Sequence, residues 1–153
     1  LLDRTMHADM CVHHVQNLAS GSPYIVAGDF NIKPSEPVYK FLTTGELATT
    51  ENPYYPAPPE HLPEYVWTPS LLEPVQSAYA VAKGTEPDFT NYARVREQEP
   101  FIDTLDYIFV GQSIRVREIV ELPHRSEAAG PFPNAIEPSD HILIAADLDI
   151  ETK

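Results

Sequence analysis

A strand-like segment that ends in acidic and amide side chains is the first place in the sequence where chemistry could occur. The apolar residues 24–27 run into Gly28, Asp29, Phe30 and Asn31. In an extended chain, residues two apart point to the same side, so Asp29 and Asn31 would present a carboxylate and an amide to one point. Their oxygens are hard ligands suited to Mg²⁺. A strand that simply ends in a polar turn is the alternative, since these residue types also favour turns.

Two further segments place polar residues beside apolar strands. Asp106 lies in the strongest strand pattern of the chain, residues 102–110, and both faces of that strand are apolar. A charged carboxylate there is costly unless it is paired, and histidine is a natural partner because a carboxylate can fix its tautomer. Asp140 and His141 precede the last apolar run, where Asp140 could hold a metal ion or water and His141 could bind or protonate a phosphoryl oxygen. An aspartate bonded to loop amides is the alternative for Asp106.

Together these side chains suit the hydrolysis of a phosphodiester. Such a reaction needs a metal ion to neutralise charge, a group that activates water, and a donor to the phosphoryl oxygen. These types are supplied by Asp29, Asn31, Asp106, Asp140 and His141. There is no Ser or Cys nucleophile in a persuasive context, and no phosphate loop of the G-x-x-x-x-G-K type.

The composition limits the partners. The 153 residues, 42% of them hydrophobic, suffice for one domain with a core, and no linker divides them. Ten basic against 23 acidic residues, a net charge of −13, disfavour a general nucleic-acid groove, so a phosphorylated substrate would be held locally or through metal ions. The single Cys11 fits a reducing compartment, and no apolar run is long enough to span a membrane. We expect a cytoplasmic location, with the nucleus and mitochondrion as alternatives, and no membrane contact.

The apolar pattern predicts a mixture of helices and strands around these groups. Helices are expected at residues 3–19, from residue 34 or 35 to Gly45, and at residues 72–82. Strands are expected at residues 24–27, 88–92, 102–110, 114–122 and 142–150. The first helix should bury its apolar residues, Met6, Met10, Val12, Val15 and Leu18.

A proline-rich segment, residues 50–74, predicts a long loop, because neither helix nor sheet continues through so many prolines. It carries Tyr54, Tyr55, Tyr65 and Trp67, which could stack on a nucleic-acid base or pin the loop to the core. Pinning is the favoured interpretation.

Three motifs, in this order, resemble the endonuclease/exonuclease/phosphatase superfamily: Gly-Asp-Phe-Asn at 28–31, Leu-Asp-Tyr-Ile at 105–108 and Ser-Asp-His at 139–141. The resemblance implies an α/β (α+β) fold, the DNase-I-like four-layer αββα sandwich of two packed sheets with helices outside. Phe-Thr-Asn-Tyr at 89–92 and Pro-Val-Tyr at 37–39 are similar to one branch of this superfamily. That branch contains carbon-catabolite-repressor-type poly(A) deadenylases, nocturnin, Angel proteins and the mitochondrial 2′,5′-phosphodiesterase.

The resemblance covers only the C-terminal half of the family's domain, so residues 1–153 are expected to be that half. The chain begins without Met inside a helical pattern, which also indicates a piece of a longer protein. The family's N-terminal half contributes a glutamate metal ligand and further Asn and His residues that have no counterpart here. We therefore expect weak or no catalysis by this chain alone, and self-association through an exposed core face.

The resemblance also implies roles for the site residues. Asp29 would activate the attacking water, and Asn31 would orient that water or the phosphate. Asp106 would orient His141, and His141 would contact the scissile phosphate. Asp140 would help to hold the metal-bound site.

The activity implied for the parent protein is Mg²⁺-dependent phosphodiester hydrolysis, as a 3′-exoribonuclease with poly(A) RNA as the favoured substrate. Asp29, Asn31 and Asp140 are the expected ligands of Mg²⁺ or Mn²⁺, and Asn91 is an expected substrate contact. Two alternatives stay open: a nocturnin-like phosphatase acting on a small nucleotide, a dinucleotide 2′-phosphate, and a non-catalytic binding or scaffold fragment.

Overall fold

The computed structural model describes residues 2–47, 58, 60–64, 67–94 and 96–150, with side chains from residue 4 onward. In chain order the elements are α1 (Leu2–Ala19), β1 (Ile25–Asp29), α2 (Pro37–Thr44), β2 (Gln76–Ser77), α3 (Ala78–Lys83), β3 (Asn91–Ala93), β4 (Phe101–Asp103), β5 (Asp106–Val110), β6 (Ile114–Ile119) and β7 (Ala146–Ile150). The predicted mixture of helices and strands is therefore present.

The central sheet has the strand order β1–β5–β2, and both pairings are antiparallel. The β1–β5 register runs from Ile25 opposite Val110 to Asp29 opposite Asp106. Two smaller antiparallel pairs, β3–β4 and β6–β7, complete the described strands. Because directly opposed residues share a face of the sheet, this register places the carboxylates of Asp29 and Asp106 on one face.

The main core covers the other face of the central sheet, where α1 and α2 pack. Tyr107 and Phe109 lie two residues apart on β5 and stack with ring centroids 4.9 Å apart. The buried cluster around them consists of Ala8, Val12, Ile32, Val38, Phe41, Leu42 and Val75. A second cluster, formed by α3 and β6, includes the partly buried Ile108. The strand β5 thus has apolar neighbours on both faces, as the sequence predicted.

Helix α2 ends at Gly45 as predicted, but it begins at Pro37 and not at residue 34 or 35. Pro37 lies in its first turn, where the missing backbone N–H costs nothing. Gly45 ends it in the left-handed conformation, φ 75°, and its N–H donates to the Phe41 carbonyl at 2.8 Å.

The buried face of α1 differs from the predicted one. Met10 and Leu18 are exposed, whereas Asp9 and Gln16 are buried. The reason is that these two polar side chains bind the backbone of a neighbouring segment. The Asp9 carboxylate accepts hydrogen bonds from the N–H groups of Ser70 and Leu71, and Gln16 accepts one from Leu72. A purely apolar stripe could not satisfy these buried donors.

The helix predicted at residues 72–82 is wrong in its first half. Only Ala78–Lys83 is helical, and Gln76–Ser77 instead pairs with the end of β5. Pro74 precedes this strand, and the Pro74 carbonyl accepts a hydrogen bond from the Gln112 side chain. The predicted stop at Gly84 is correct, since its N–H donates to the Ala80 carbonyl at 2.8 Å.

Several strands are shorter than predicted. The segment predicted as one strand, residues 102–110, forms two strands, because the extended conformation is interrupted between Asp103 and Asp106. The strand expected at 88–92 is Asn91–Ala93, and the one expected at 114–122 ends at Ile119. The last strand begins at Ala146, so residues 142–145 are an irregular connection despite their apolar character. Apolar runs therefore marked the strands correctly but not their ends.

Of the loop aromatics, Trp67 is buried, with 8% of its surface exposed, in agreement with the pinning interpretation. Tyr54, Tyr55 and Tyr65 lie outside the described residues. Among the helices that the structure describes, none combines the length and apolar character that a membrane crossing would need.

Candidate active site

The candidate site lies at the end of the β1–β5 ladder. Asp29 is the last residue of β1 and is exposed, and Asp106 is the first residue of β5 and is partly buried. The chain turns at both points, and the Phe30 N–H donates to the Leu105 carbonyl at 3.0 Å, which closes the ladder. Two carboxylates are therefore held side by side where apolar strands meet solvent.

His141 joins them from a distant part of the sequence. Its Nδ1 lies 2.8 Å from Oδ2 of Asp106, and the two side chains are 31% and 15% exposed. In the neutral ring this contact places the proton on Nδ1, because the carboxylate only accepts. Nε2 is then the ring atom left to act on another group.

The protonation of His141 is set by competing effects. Burial disfavours the charged imidazolium, but the hydrogen bond to Asp106 and the negative charges of Asp106, Asp29 and Asp140 favour it. The balance raises the pKa of His141 above its ordinary value. Asp29 lies opposite Asp106 in the strand register and Asp140 directly precedes His141, so the acidic side chains surround this histidine.

A short backbone junction brings the 140–142 segment to the sheet. Asn91 forms an isolated antiparallel bridge with His141, and the Tyr92 N–H donates to the Asp140 carbonyl at 2.8 Å. The Asn91 amide also reaches the Asp140 carboxylate, with Nδ2 to Oδ2 at 3.4 Å. Asn91 is 4% exposed, so it supports Asp140 in this structure, and its predicted substrate contact stays a prediction.

Asn31 does not continue the strand, contrary to the expectation that Asp29 and Asn31 point to the same side of an extended chain. Its φ is 52°, in the left-handed region that asparagine tolerates better than most residues. Its N–H donates to Oδ1 of Asp29 at 2.8 Å, so the pair forms an Asx-type turn. The polar turn, which was the alternative for this segment, is therefore present, and it lies beside the other acidic groups.

Thr90 belongs to the site but was not predicted from the sequence. This residue is fully buried, and its hydroxyl lies 2.6 Å from Oδ2 of Asp106. Threonine is common in strands, so only its position, just before Asn91 and buried among strand ends, could have singled it out.

The donor chemistry suits a metal ion, but the number of donors does not. Asp29 and Asp140 are carboxylates, and Asn31 offers an amide oxygen, which are the ligand types of Mg²⁺ or Mn²⁺. Among the described residues, however, no group of three or more His, Cys, Asp or Glu side chains is arranged to hold a metal ion. The described residues of this chain therefore do not complete a metal site by themselves.

Comparison with known proteins identifies the class. The model of the endonuclease/exonuclease/phosphatase family matches residues 3–141, nearly the whole chain. The chain therefore belongs to the endonuclease/exonuclease/phosphatase family.

Particular relatives point to one branch. The chain is 35% identical over 130 residues to carbon catabolite repressor protein 4 homolog 4 of Arabidopsis thaliana, a match that covers 82% of this chain and 27% of the relative. It is 29% identical over 142 residues to 2′,5′-phosphodiesterase 12 of Mus musculus, covering 90% and 21%. It is 23% identical to nocturnin of Drosophila melanogaster, covering 91% and 21%. The chain thus spans about a quarter of the length of these relatives.

Solved structures support the fold. The human nocturnin catalytic domain aligns with a TM-score of 0.57 at 24% identity, covering 97% of this chain and 41% of that one. An endonuclease/exonuclease/phosphatase from Bacteroides vulgatus aligns with a TM-score of 0.54 at 22% identity, covering 97% and 44%. The predicted DNase-I-like class of mixed helices and strands is therefore confirmed.

Proposed function

We propose that residues 1–153 form the C-terminal half of a hydrolytic phosphodiesterase domain, and that the parent protein is a 3′-exoribonuclease acting on RNA, with poly(A) as the favoured substrate. The observation that carries this proposal is the Asp106–His141 hydrogen bond beside the carboxylates of Asp29 and Asp140. A histidine that is readily protonated at such a position suits contact with a phosphoryl oxygen. The relative named 2′,5′-phosphodiesterase 12 supports the same hydrolysis of a phosphodiester.

The proposed roles combine the contacts of the chain with the roles that the family resemblance implies. Asp106 holds the proton of the neutral ring on Nδ1, and Nε2 of His141, when protonated, donates to a phosphoryl oxygen. Asp29 is an exposed carboxylate that accepts a proton from the attacking water, and the Asn31 amide orients that water or the phosphate. Hydrolysis forms a bond between the water oxygen and phosphorus and breaks the bond to the 3′-oxygen of the remaining RNA. That oxygen takes up a proton from solvent, and a nucleoside 5′-monophosphate is released.

A divalent cation, Mg²⁺ or Mn²⁺, would neutralise phosphate charge when it is bound. Asp29, Asn31 and Asp140 are the proposed ligands from this chain. Since the described residues do not complete a site, the proposal includes at least one ligand from outside them, such as the glutamate that the resemblance implies for the family's N-terminal half.

Substitution in the parent protein tests the assignment. We expect Asp29→Ala and His141→Ala each to lower kcat by at least ~10²-fold, the scale of losing a main acid–base or electrostatic group. Glu118→Ala is a matched control, because it removes an exposed carboxylate on β6. Near-normal turnover of oligo(A) by either site variant would contradict the role proposed for that residue.

A small substrate is the second candidate. The net charge of −13 is unfavourable for a long RNA but not for a dinucleotide 2′-phosphate, the substrate that the nocturnin resemblance implies. Comparing kcat/KM of the parent protein for oligo(A) and for a phosphorylated dinucleotide separates the two. A higher kcat/KM for the dinucleotide would contradict the exoribonuclease proposal and favour a phosphatase that uses the same site residues.

The exposed residues of β1 support self-association of the isolated chain. Ile25 is 43% exposed and Ala27 is exposed, on the face that also carries Asp29. We expect sedimentation velocity to show association that rises with protein concentration, and Ile25→Lys to weaken it. A monomer at every concentration would exclude this use of the face.

A further inference from the structure

Thr90 connects the two halves of the Asp106–His141 pair. Its hydroxyl donates to Oδ2 of Asp106 at 2.6 Å, the same oxygen that lies 2.8 Å from Nδ1 of His141. Its backbone carbonyl accepts the N–H of Ile142, the residue after the histidine, at 2.8 Å. One buried residue therefore contacts the carboxylate through its side chain and the histidine segment through its backbone.

The oxygen of the Thr90 hydroxyl is also occupied as an acceptor. The N–H groups of Leu105 and Asp106 donate to it at 2.9 and 3.0 Å. With both acceptor sites in use, the hydroxyl proton has one direction left, towards the Asp106 carboxylate. The orientation of the Thr90 hydroxyl is therefore fixed, whereas a hydroxyl with free acceptor sites could rotate.

We propose that Thr90 is a positioning residue, which fixes the orientation of the Asp106 carboxylate and thereby the tautomer and place of His141. Its hydroxyl proton and the His141 ring share one carboxylate oxygen, so a rotation of that carboxylate breaks both contacts. A valine of the same shape keeps the packing but removes the donor and leaves two buried N–H groups without an acceptor. The importance of this role for catalysis rests on the proposed function, but the geometry is tested without it.

The test reads the histidine ring directly in the 153-residue chain. Ring ¹⁵N shifts are measured at one fixed pH at which the imidazoles are neutral, with His141→Gln used only to assign the signal. We expect the wild type and Thr90→Ser to show the Nδ1–H tautomer, because serine keeps the hydroxyl. Thr90→Val should lose most of this preference. An unchanged tautomer in a folded Thr90→Val variant would overturn the proposal.

Thr104→Val is the matched control. Thr104 is also buried, and its hydroxyl donates to the Pro87 carbonyl at 2.7 Å rather than to the site. It should lower stability without changing the His141 tautomer. An equal change of tautomer in both variants would mean that general loosening, and not the Thr90 donor, is responsible.

A measurement on the wild type keeps the proposal testable if Thr90→Val does not fold. The Thr90 hydroxyl proton is buried and strongly hydrogen-bonded, so it should exchange slowly and give a nuclear Overhauser effect to the Nδ1 proton of His141. Failure to observe this proton while the N–H groups of Leu105 and Asp106 are protected would overturn the proposal. This result does not depend on activity, so it can fail or hold independently of the proposed function.

Discussion

The side chain of Glu86 is partly buried, and this burial makes its charged form energetically costly. Burial raises the pKa of its carboxyl above the ordinary value, although the Tyr39 hydroxyl, at 2.5 Å, partly compensates by stabilising the charge. Glu86 is not part of the candidate site. Because the charged form is disfavoured in the folded state, the folded protein binds a proton at Glu86 more tightly than the unfolded chain does.

We expect Glu86→Gln to stabilise the protein at neutral pH by an amount on the order of 1 kcal/mol, because it removes a poorly solvated charge and keeps an acceptor for Tyr39. The extra stability of the wild type from protonation is present below the unfolded pKa and is lost as the pH rises through the raised folded pKa. The advantage of the variant should therefore shrink as the pH falls. Urea unfolding at about pH 7 and about pH 4 measures this difference.

Glu118→Gln, at an exposed glutamate on β6, is the control for the loss of one negative charge. If Glu86→Gln changed the free energy of unfolding equally at both pH values, desolvation of this carboxylate would not be the cause.

At the level of secondary structure, polar side chains of α1 bind the backbone of the segment that leads into β2. Both oxygens of Asp9 accept the Ser70 N–H at 3.0 Å, and the Ser70 hydroxyl donates to Oδ2 at 2.7 Å. The side chain of Gln16 donates to the Glu73 carbonyl at 2.7 Å. The helix therefore holds an irregular segment by satisfying its backbone groups and not by apolar contact alone.

We expect Asp9→Ala to lower the free energy of unfolding by about 3 kcal/mol, because it leaves buried backbone donors without an acceptor. Chemical denaturation of the wild type and the variant measures the change. His7→Ala is the control, since His7 is exposed on the same helix and should have little effect. A loss below about 1 kcal/mol for Asp9→Ala would show that water replaces the carboxylate at this position.

For the molecule as a whole, the candidate site and the exposed residues of β1 lie on the same face of the central sheet. Asp29 and Ile25 lie on the same face of β1, and both are exposed. The described residues supply carboxylate, amide and imidazole groups but no complete set of metal ligands. If the chain binds a metal ion specifically, added Mg²⁺ should stabilise its fold. If the chain is a non-catalytic binding or scaffold module, it should not.

We expect Mg²⁺ to raise the Tm of the chain weakly, and Asp29→Ala to remove the increase. A ligand at ten times its Kd adds about 1.4 kcal/mol of stability through binding to the folded state alone. Thermal melts with millimolar Mg²⁺ measure this effect against NaCl of equal ionic strength, because a chain of net charge −13 binds cations non-specifically. Asp147→Ala, an exposed carboxylate on β7, is the control for that background. The absence of any specific increase would favour the binding or scaffold alternative for this chain.

The sequence by itself determined the helix ends, the buried strand and the choice of the main site residues. Gly45 and Gly84 ended helices as predicted, because a residue without a side chain adopts the left-handed conformation at low cost. The apolar residues on both faces of β5 predicted that both faces are covered. Four site residues were chosen from residue type and from their position at strand ends, and the structure brings them together at the end of the β1–β5 ladder: Asp29, Asp106, Asp140 and His141.

The tertiary structure alone decided how these residues meet. The opposition of Asp29 to Asp106 depends on the strand register, and the contact of Asp106 with His141 spans 35 residues of sequence. The polar buried stripe of α1 could not be predicted, because its reason lies in backbone donors 61 residues away. The role of Thr90 could not be predicted for the same reason. It depends on hydrogen bonds between segments that are distant in sequence, and the local sequence does not determine which segments become neighbours.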